Sequence, residues 1–344
     1  MKICSVNNYT NTGYINETLI YNKLSTLLGV DVSDSFTFTD LNSAYNINKN
    51  YSHLLVYFDY KATSIQGYDE FLKEVKIPKI FIIDTIPQKH EEVNKEFIDR
   101  YIQNEIYGFT SLPQSSQNHL YSEYADGLVF FNDLDKDLFN QFYTIPDTVP
   151  RIVIPPSLGK KENLKINFDN FLPNNNIGYN GVPSYANGFT LIGGLFPHIP
   201  KYNLNVFGTH GRLDYNNEIL LNDILPQVTN IKFNGRLKNQ DNFFKSNHIY
   251  SNLSIYDSFD YFTFLSLLNG MVPLLTNSSS TSSFFKSYPF IANPDPNSIK
   301  YTLNLISSAP PNYLRDILNN SLEFIKELND EDTLEKYHNF LKNI

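Results

Sequence analysis

Apolar and polar positions along the chain alternate between two rhythms. Short, nearly continuous apolar runs occur at Met1–Val6, His53–Phe58, Lys79–Ile83 and Gly127–Phe131, the pattern of strands whose two faces are both covered. Between the first two, residues 16–28 carry apolar positions at helical spacing, with Glu17 in the first turn and Gly29 just past the end, which predicts a helix. Residues 91–107 suit another helix, and residues 108–119, with Pro113 and several Ser and Gln, read as a polar loop. From Val149 the paired prolines and polar runs read as a linker, bounded at 158–175. Beyond it strands are expected at 176–179, 204–207, 231–233, 253–256 and 272–275, and residues 313–344 form an amphipathic helical end. Strand alternating with helix predicts an α/β chain of two Rossmann-like, doubly wound domains.

The segment from Asn252 to Thr276 is the most informative. It predicts a strand at 253–256, a turn at Asp257 and Ser258, an apolar helix at 261–268, a stop at Gly270 and a buried strand through 272–275. A helix that opens directly after a strand aims free N–H groups at the strand's carboxyl end, where a phosphate can be held. An ordinary strand–helix–strand packing unit has the same appearance.

Composition narrows the picture. A chain of 344 residues with 41% hydrophobic content has room for two cores. No apolar run reaches the roughly 18 residues that span a bilayer, and the opening MKICSVNN has too short an apolar core for a secretory signal, so the cytoplasm is expected. The single cysteine, Cys4, excludes an intrachain disulfide and suits strand packing. About −8 of the net charge of −9 falls in residues 1–157, a poor general platform for nucleic acid. The seven histidines are scattered, and neither a metal-ligand spacing, a phosphate-cradling GxxxxGK[ST] loop nor a nucleophile elbow occurs, although a divalent cation could bind without a motif.

Asp257, Ser258 and Phe259 before the helix, and Gly270 and Pro273 before the next strand, resemble the donor-binding region of GT-B glycosyltransferases. Within that class, Glu17–Tyr21, Lys79–Phe81 leading to Asp84, Leu204–Gly208, Phe233–Arg236 and Phe262–Leu275 are similar, in order and spacing, to the bacteriophage DNA β-glucosyltransferases. The resemblance implies two domains facing a cleft. Residues 1–157 would lie on the acceptor side, 158–175 would form a linker, 176–312 would bind a nucleotide-diphosphate sugar, a UDP-sugar first among them, and 313–344 would close the chain. The implied acceptor is a hydroxymethylated pyrimidine in viral DNA, with a cell-surface glycan, a protein or a small molecule as the alternative. Three departures stand against the class. Val182 and Asn187 occupy the places of two cations that hold the diphosphate, and Leu265 that of a Glu that grips the ribose, so a catalytically degenerate binding module is the rival.

The chemistry needs a base for the acceptor hydroxyl and charge stabilisation for the departing diphosphate. Asp84, ending the run IFIID, is the candidate base or else a turn cap, and His90 is the alternative. Arg236, Lys238 and Arg212 are candidates for the diphosphate, Arg236 first because its planar guanidinium can bridge two oxygens. Gly178 and Gly181 would admit a close ligand, and Ser258 and Phe259 would offer backbone N–H groups. Asp257 would bind sugar hydroxyls or cap the helix, and residues 278–283 would face the cleft or form a flexible polar loop. Gly13 lies between the first strand and helix, near an acceptor or simply in a turn.

Overall fold

The computed structural model describes residues 1–7, 15–30, 35–36, 41–57, 66–83, 114–171, 173–181, 183, 188–208, 228–254 and 258–344. They build two parallel six-stranded sheets, each the centre of one compact unit. Unit 1 comprises residues 1–88, 109–157 and 328–344, and unit 2 comprises residues 89–108 and 158–327.

The sheet of unit 1 contains β1 (Ile3–Asn7), β2 (Ser35–Phe36), β3 (His53–Tyr57), β4 (Lys79–Ile83), β5 (Gly127–Phe130) and β6 (Arg151–Val153), in the order β2-β1-β3-β4-β5-β6. Its helices are α1 (Ile15–Leu27), α2 (Leu41–Asn50), α3 (Gln66–Glu74), α4 (Gln114–Tyr124) and α5 (Asp133–Phe142). Parallel neighbours demand crossover helices, and these bury both sheet faces, which is why the strands read as unbroken apolar runs. Cys4, Val6, Leu54, Val56, Phe81 and Phe130 point into one core with Phe71, Leu120 and Phe139 from the helices.

Two expectations change here. The linker read from Val149 begins with β6, which pairs with β5 at the sheet edge. The polar loop of residues 108–119 is helical from Gln114, because Leu120 and Tyr121 are buried and the inward Gln117 accepts a hydrogen bond from the Tyr143 hydroxyl.

Unit 2 has β7 (Asn176–Asn180), β8 (Asn203–Phe207), β9 (Ile231–Phe233), β10 (Ile249–Asn252), β11 (Val272–Thr276) and β12 (Ile291–Ala292), ordered β12-β11-β10-β7-β8-β9. Its helices are α6 (Phe189–Leu195), α7 (Gln240–Ser246), α8 (Tyr261–Leu268), α9 (Pro296–Ser308) and α10 (Pro311–Ile325). The strand expected at 253–256 lies four residues earlier as β10, all four of whose residues are buried between β7 and β11. The helix at 261–268 and the stop at Gly270 are found as expected. Gly270 has φ 80°, and its amide and that of Met271 bond back to Leu267 and Ser266, each at 2.9 Å.

The chain end is two helices rather than one. Asn329, fully buried, accepts from the Asp332 amide and starts α11 (Asp330–Lys342), which belongs to unit 1. There Phe340 and Ile344 fill the space that a side chain at Gly127 would take, and Asp330 and Thr333 bond to Ser157 and Pro155.

Removing residues 328–344 strips Tyr337, Phe340 and Leu341 from unit 1, all of them buried. At about 1.5–3 kcal/mol per side chain this should cost most of the stability of that unit, read as an early urea transition. A second expectation concerns His248, buried in unit 2 with its Nδ1 unbonded and its ring edge-on to Phe171 at 5.3 Å. Burial pushes its imidazole down from 6.5 to about 4. The unfolded chain therefore binds the extra proton between these values, and unit 2 should lose up to about 3 kcal/mol as pH falls from 6.5 to 4. Urea titrations of wild type and His248→Phe should differ by that slope.

Candidate functional site

In unit 2 the chain runs from β7 outward to β8 and β9, then returns to the other side of β7 to lay down β10, β11 and β12. Strand order therefore reverses between β7 and β10, and the carboxyl ends of these two strands are the switch point at which open parallel sheets form a ligand-binding crevice.

Backbone approaches there are close. Gly181 follows β7 and Gly208 follows β8, and a Cβ on Gly208 would overlap the Gly181 carbonyl. The Gly181 amide donates to the Phe207 carbonyl at 2.8 Å, and the Gly208 amide to Gly235 at 2.9 Å, so the three loops after β7, β8 and β9 are laced together. Gly188, before α6, has φ 73°, and a Cβ on it would overlap the Leu253 carbonyl, just past β10. Backbone rather than side chain thus forms these walls of the crevice.

The β10 and β11 side is lined by small polar groups. Thr276 and Ser278 share a hydrogen bond of 2.8 Å. Ser279, fully buried, and Asn180, at the end of β7, each leave a buried oxygen, Oγ and Oδ1, without a partner. Such atoms are costly unless a ligand or water bonds them. Residues 280–284 form a 3-10 turn whose first two residues are buried, not the flexible polar loop considered above.

The start of α8 differs from the expected phosphate cradle. Its cap is Asp260, whose Oδ1 accepts from the Phe262 amide at 3.0 Å, while the Thr263 amide bonds to the Asp260 carbonyl at 3.1 Å. The Tyr250 and Thr263 hydroxyls donate to Oδ2 at 3.0 and 2.6 Å. Burial pushes the Asp260 carboxyl above its usual range, against these hydrogen bonds, which lower it. The Phe262 and Thr263 amides are thus already bonded within the chain, one to the Asp260 carboxylate and one to its carbonyl, and the capping considered for Asp257 is performed three residues later.

The sequence candidates are distributed as follows. Gly181 stands in the crevice. Gly178 lies within β7, where a Cβ would meet the Phe243 ring at 2.5 Å, so its lack of a side chain seats α7 on the sheet. Ser258 and Phe259 are buried, and the Phe259 ring stacks on Phe264 with centroids 4.5 Å apart. Arg236 and Lys238 are exposed after β9, which is two strands, or about 10 Å, from β7. Leu265 is half-buried against the cluster of Phe243, Phe244, Tyr250, Phe262 and Met271. Gly13, Asp84, His90, Val182, Asn187, Arg212 and Asp257 lie outside the described residues. Sequence reasoning missed Asn180, Gly188 and Asp260, while Thr281 falls within the run 278–283 that it singled out. A glycine directly ahead of an apolar helix was the available signal for Gly188, and Asp260 is the acidic residue directly ahead of the helix predicted at 261–268.

Among the described residues, no group of three or more His, Cys, Asp or Glu could hold a metal ion, and no helix is long and apolar enough to cross a membrane.

Comparison with known proteins places this architecture. No protein-family model and no curated protein sequence matches the chain. Solved structures do. The apo structure of OtsA has a TM-score of 0.70 at 10% identity, covering 100% of both chains. Anabaena HepE, in complex with UDP and glucose, has a TM-score of 0.69 at 11% identity, again covering 100% of both. The pneumococcal O-GlcNAc transferase GtfA, in complex with UDP and GlcNAc, has 0.63 at 11% identity over 88% of this chain, which spans 59% of GtfA. These neighbours are GT-B glycosyltransferases, and the chain has their fold of two Rossmann-like domains.

Gly208→Ala should lower stability by about 1–3 kcal/mol, because the Gly181 backbone must move. In α6, Gly194 has open space where a Cβ would stand, and Gly194→Ala should raise stability by about 0.5–1 kcal/mol. Urea unfolding of the two variants checks both signs.

Proposed function

We propose that this chain is a glycosyltransferase that moves a sugar from a nucleoside diphosphate, UDP before others, to an acceptor hydroxyl. The observation that carries the reading is the β7/β10 switch point of unit 2, with its glycine-built walls and two unbonded polar oxygens, in a fold shared with structures that hold UDP. In this reading the Gly181 and Gly208 loops receive the diphosphate and ribose, and Asn180 and Ser279 take up hydroxyls of the donor. Arg212, Arg236 and Lys238 supply positive charge to the leaving group, and Asp84, or else His90, deprotonates the acceptor. Asp257 remains a candidate for the sugar hydroxyls.

For the acceptor, the charge of −9, carried mostly by the first half, favours a carbohydrate, protein or small-molecule hydroxyl. The distributed resemblance to phage enzymes favours a hydroxymethylated pyrimidine, which would have to leave the base stack. A second reading, a GT-B scaffold that binds without catalysis, is favoured by the apolar Leu265 at the place expected to hold ribose.

Donor hydrolysis across common nucleotide sugars, with and without hydroxymethylated DNA, tests these readings together. A UDP-sugar should be consumed, slowly without acceptor. DNA-stimulated turnover would identify the nucleic-acid acceptor, and UDP uptake without turnover the binding module. Neither uptake nor turnover of any donor would overturn the assignment. Asp84→Asn should lower kcat by about 100-fold or more if Asp84 is the base, and full turnover would remove it from that role.

A further inference from the structure

Behind the crevice of unit 2 runs a continuous chain of buried polar groups. The Asp260 amide donates to Thr281 Oγ1 at 2.8 Å. Its carboxylate accepts from Thr263 Oγ1, which itself accepts from Asn252 Nδ2 at 2.9 Å. Asn252 Oδ1 then accepts from the Ser254 amide at 3.1 Å. Thr281, Asp260, Thr263, Asn252 and Ser254 are all buried, so these side chains are shielded from solvent and act through what they hold.

What they hold are three separate pieces of the carboxyl edge. Asn252 and Ser254 form the end of β10, Asp260 the start of α8, and Thr281 the 3-10 turn that begins just after Ser279. No backbone hydrogen bond of a helix or sheet ladder joins the turn to α8. The rings of Phe284 and Phe285 pack on Phe264 of α8, and the polar part of the connection is one side-chain hydroxyl and a cap amide, whose isosteric removal leaves a buried N–H unpaired while the ring packing stays.

We propose that Asp260 and Thr281 are positioning residues for the donor site, fixing the β10 end, the α8 start and the Ser279 turn in one arrangement. The proposal rests on the glycosyltransferase reading above. It also assigns α8 a different part from a phosphate cradle: the first turn is closed on Asp260, and the donor diphosphate meets the Gly181 and Gly208 loops. Because these residues set loops rather than touch reacting atoms, their loss weakens donor binding and spares the chemical step.

Steady-state kinetics on the consumed donor separates the cases. Thr281→Val keeps shape and removes the acceptor; it should raise donor KM about tenfold, the factor that 1.4 kcal/mol of lost positioning gives, with kcat held within about twofold. Thr281→Ser keeps a hydroxyl and should restore KM. Should Thr281→Val not fold, Thr263→Val, which cuts the link to Asn252, should show the same split. A lowered melting temperature with unchanged donor KM would reduce the network to a structural role and overturn the proposal. A wild-type chain that neither binds nor consumes any nucleotide sugar would instead sink the functional reading, and the positioning role with it.

Discussion

The carboxyl edge of the second sheet depends on a distance of approach. Where β7 and β8 end, the backbone at Gly208 passes the Gly181 carbonyl so closely that no side chain fits between them. Parallel strands need crossovers of a dozen or more residues, and each crossover leaves its strand at this edge. Bringing three such exits together without bulk lets the amides of Gly181 and Gly208 bond to the neighbouring loops. The crevice is therefore a product of backbone packing first, and of side-chain chemistry second.

On the other side of β7 the same edge is built by the opposite means. There β10 ends in Asn252, a polar residue in a central strand, and α8 begins on a buried aspartate. Each would be costly alone. Asp260 is tolerable because two hydroxyls and an amide bond to it, and Asn252 because it bonds Thr263 and the Ser254 amide. Behind them the rings of Phe243, Phe244, Tyr250 and Phe262 exclude water. A satisfied polar network against an aromatic wall resists small rearrangements, which a precise binding edge requires.

Much of this was legible in the residues, and the failures have physical causes. The runs HLLVY and KIFII read as strands because both faces are covered, so their apolar character is continuous. β10 was displaced by four residues because IYSN carries two polar side chains, Ser251 and Asn252, and the partner of Asn252, Thr263, lies elsewhere in the chain. Helix α4 was read as a loop because its inward Gln117 is matched to Tyr143, a tertiary bond that no local pattern contains. β2 and β12, two residues each, are too short to leave a periodic signal. For the site, Gly181 was legible as a turn glycine, whereas the need for Gly208 exists only once Gly181 stands opposite it. Asp260 was hidden by Asp257, a second acidic residue three positions earlier, on which the resemblance to the donor-binding region fell.

The placement of α11 sets an order of events during synthesis. Unit 1 is built from the first 157 residues, apart from 89–108, and from residues 328–344, so its sheet is translated long before the helix that covers Gly127 exists. At roughly 5–20 residues per second, the nascent first sheet waits on the order of 10–30 s with that apolar face bare, while the whole of β7 to α10 is made. Vectorial folding from the amino terminus thus cannot finish the first unit. The unit is complete only once residues 328–344 emerge, and until then its uncovered apolar face is open to non-native contacts.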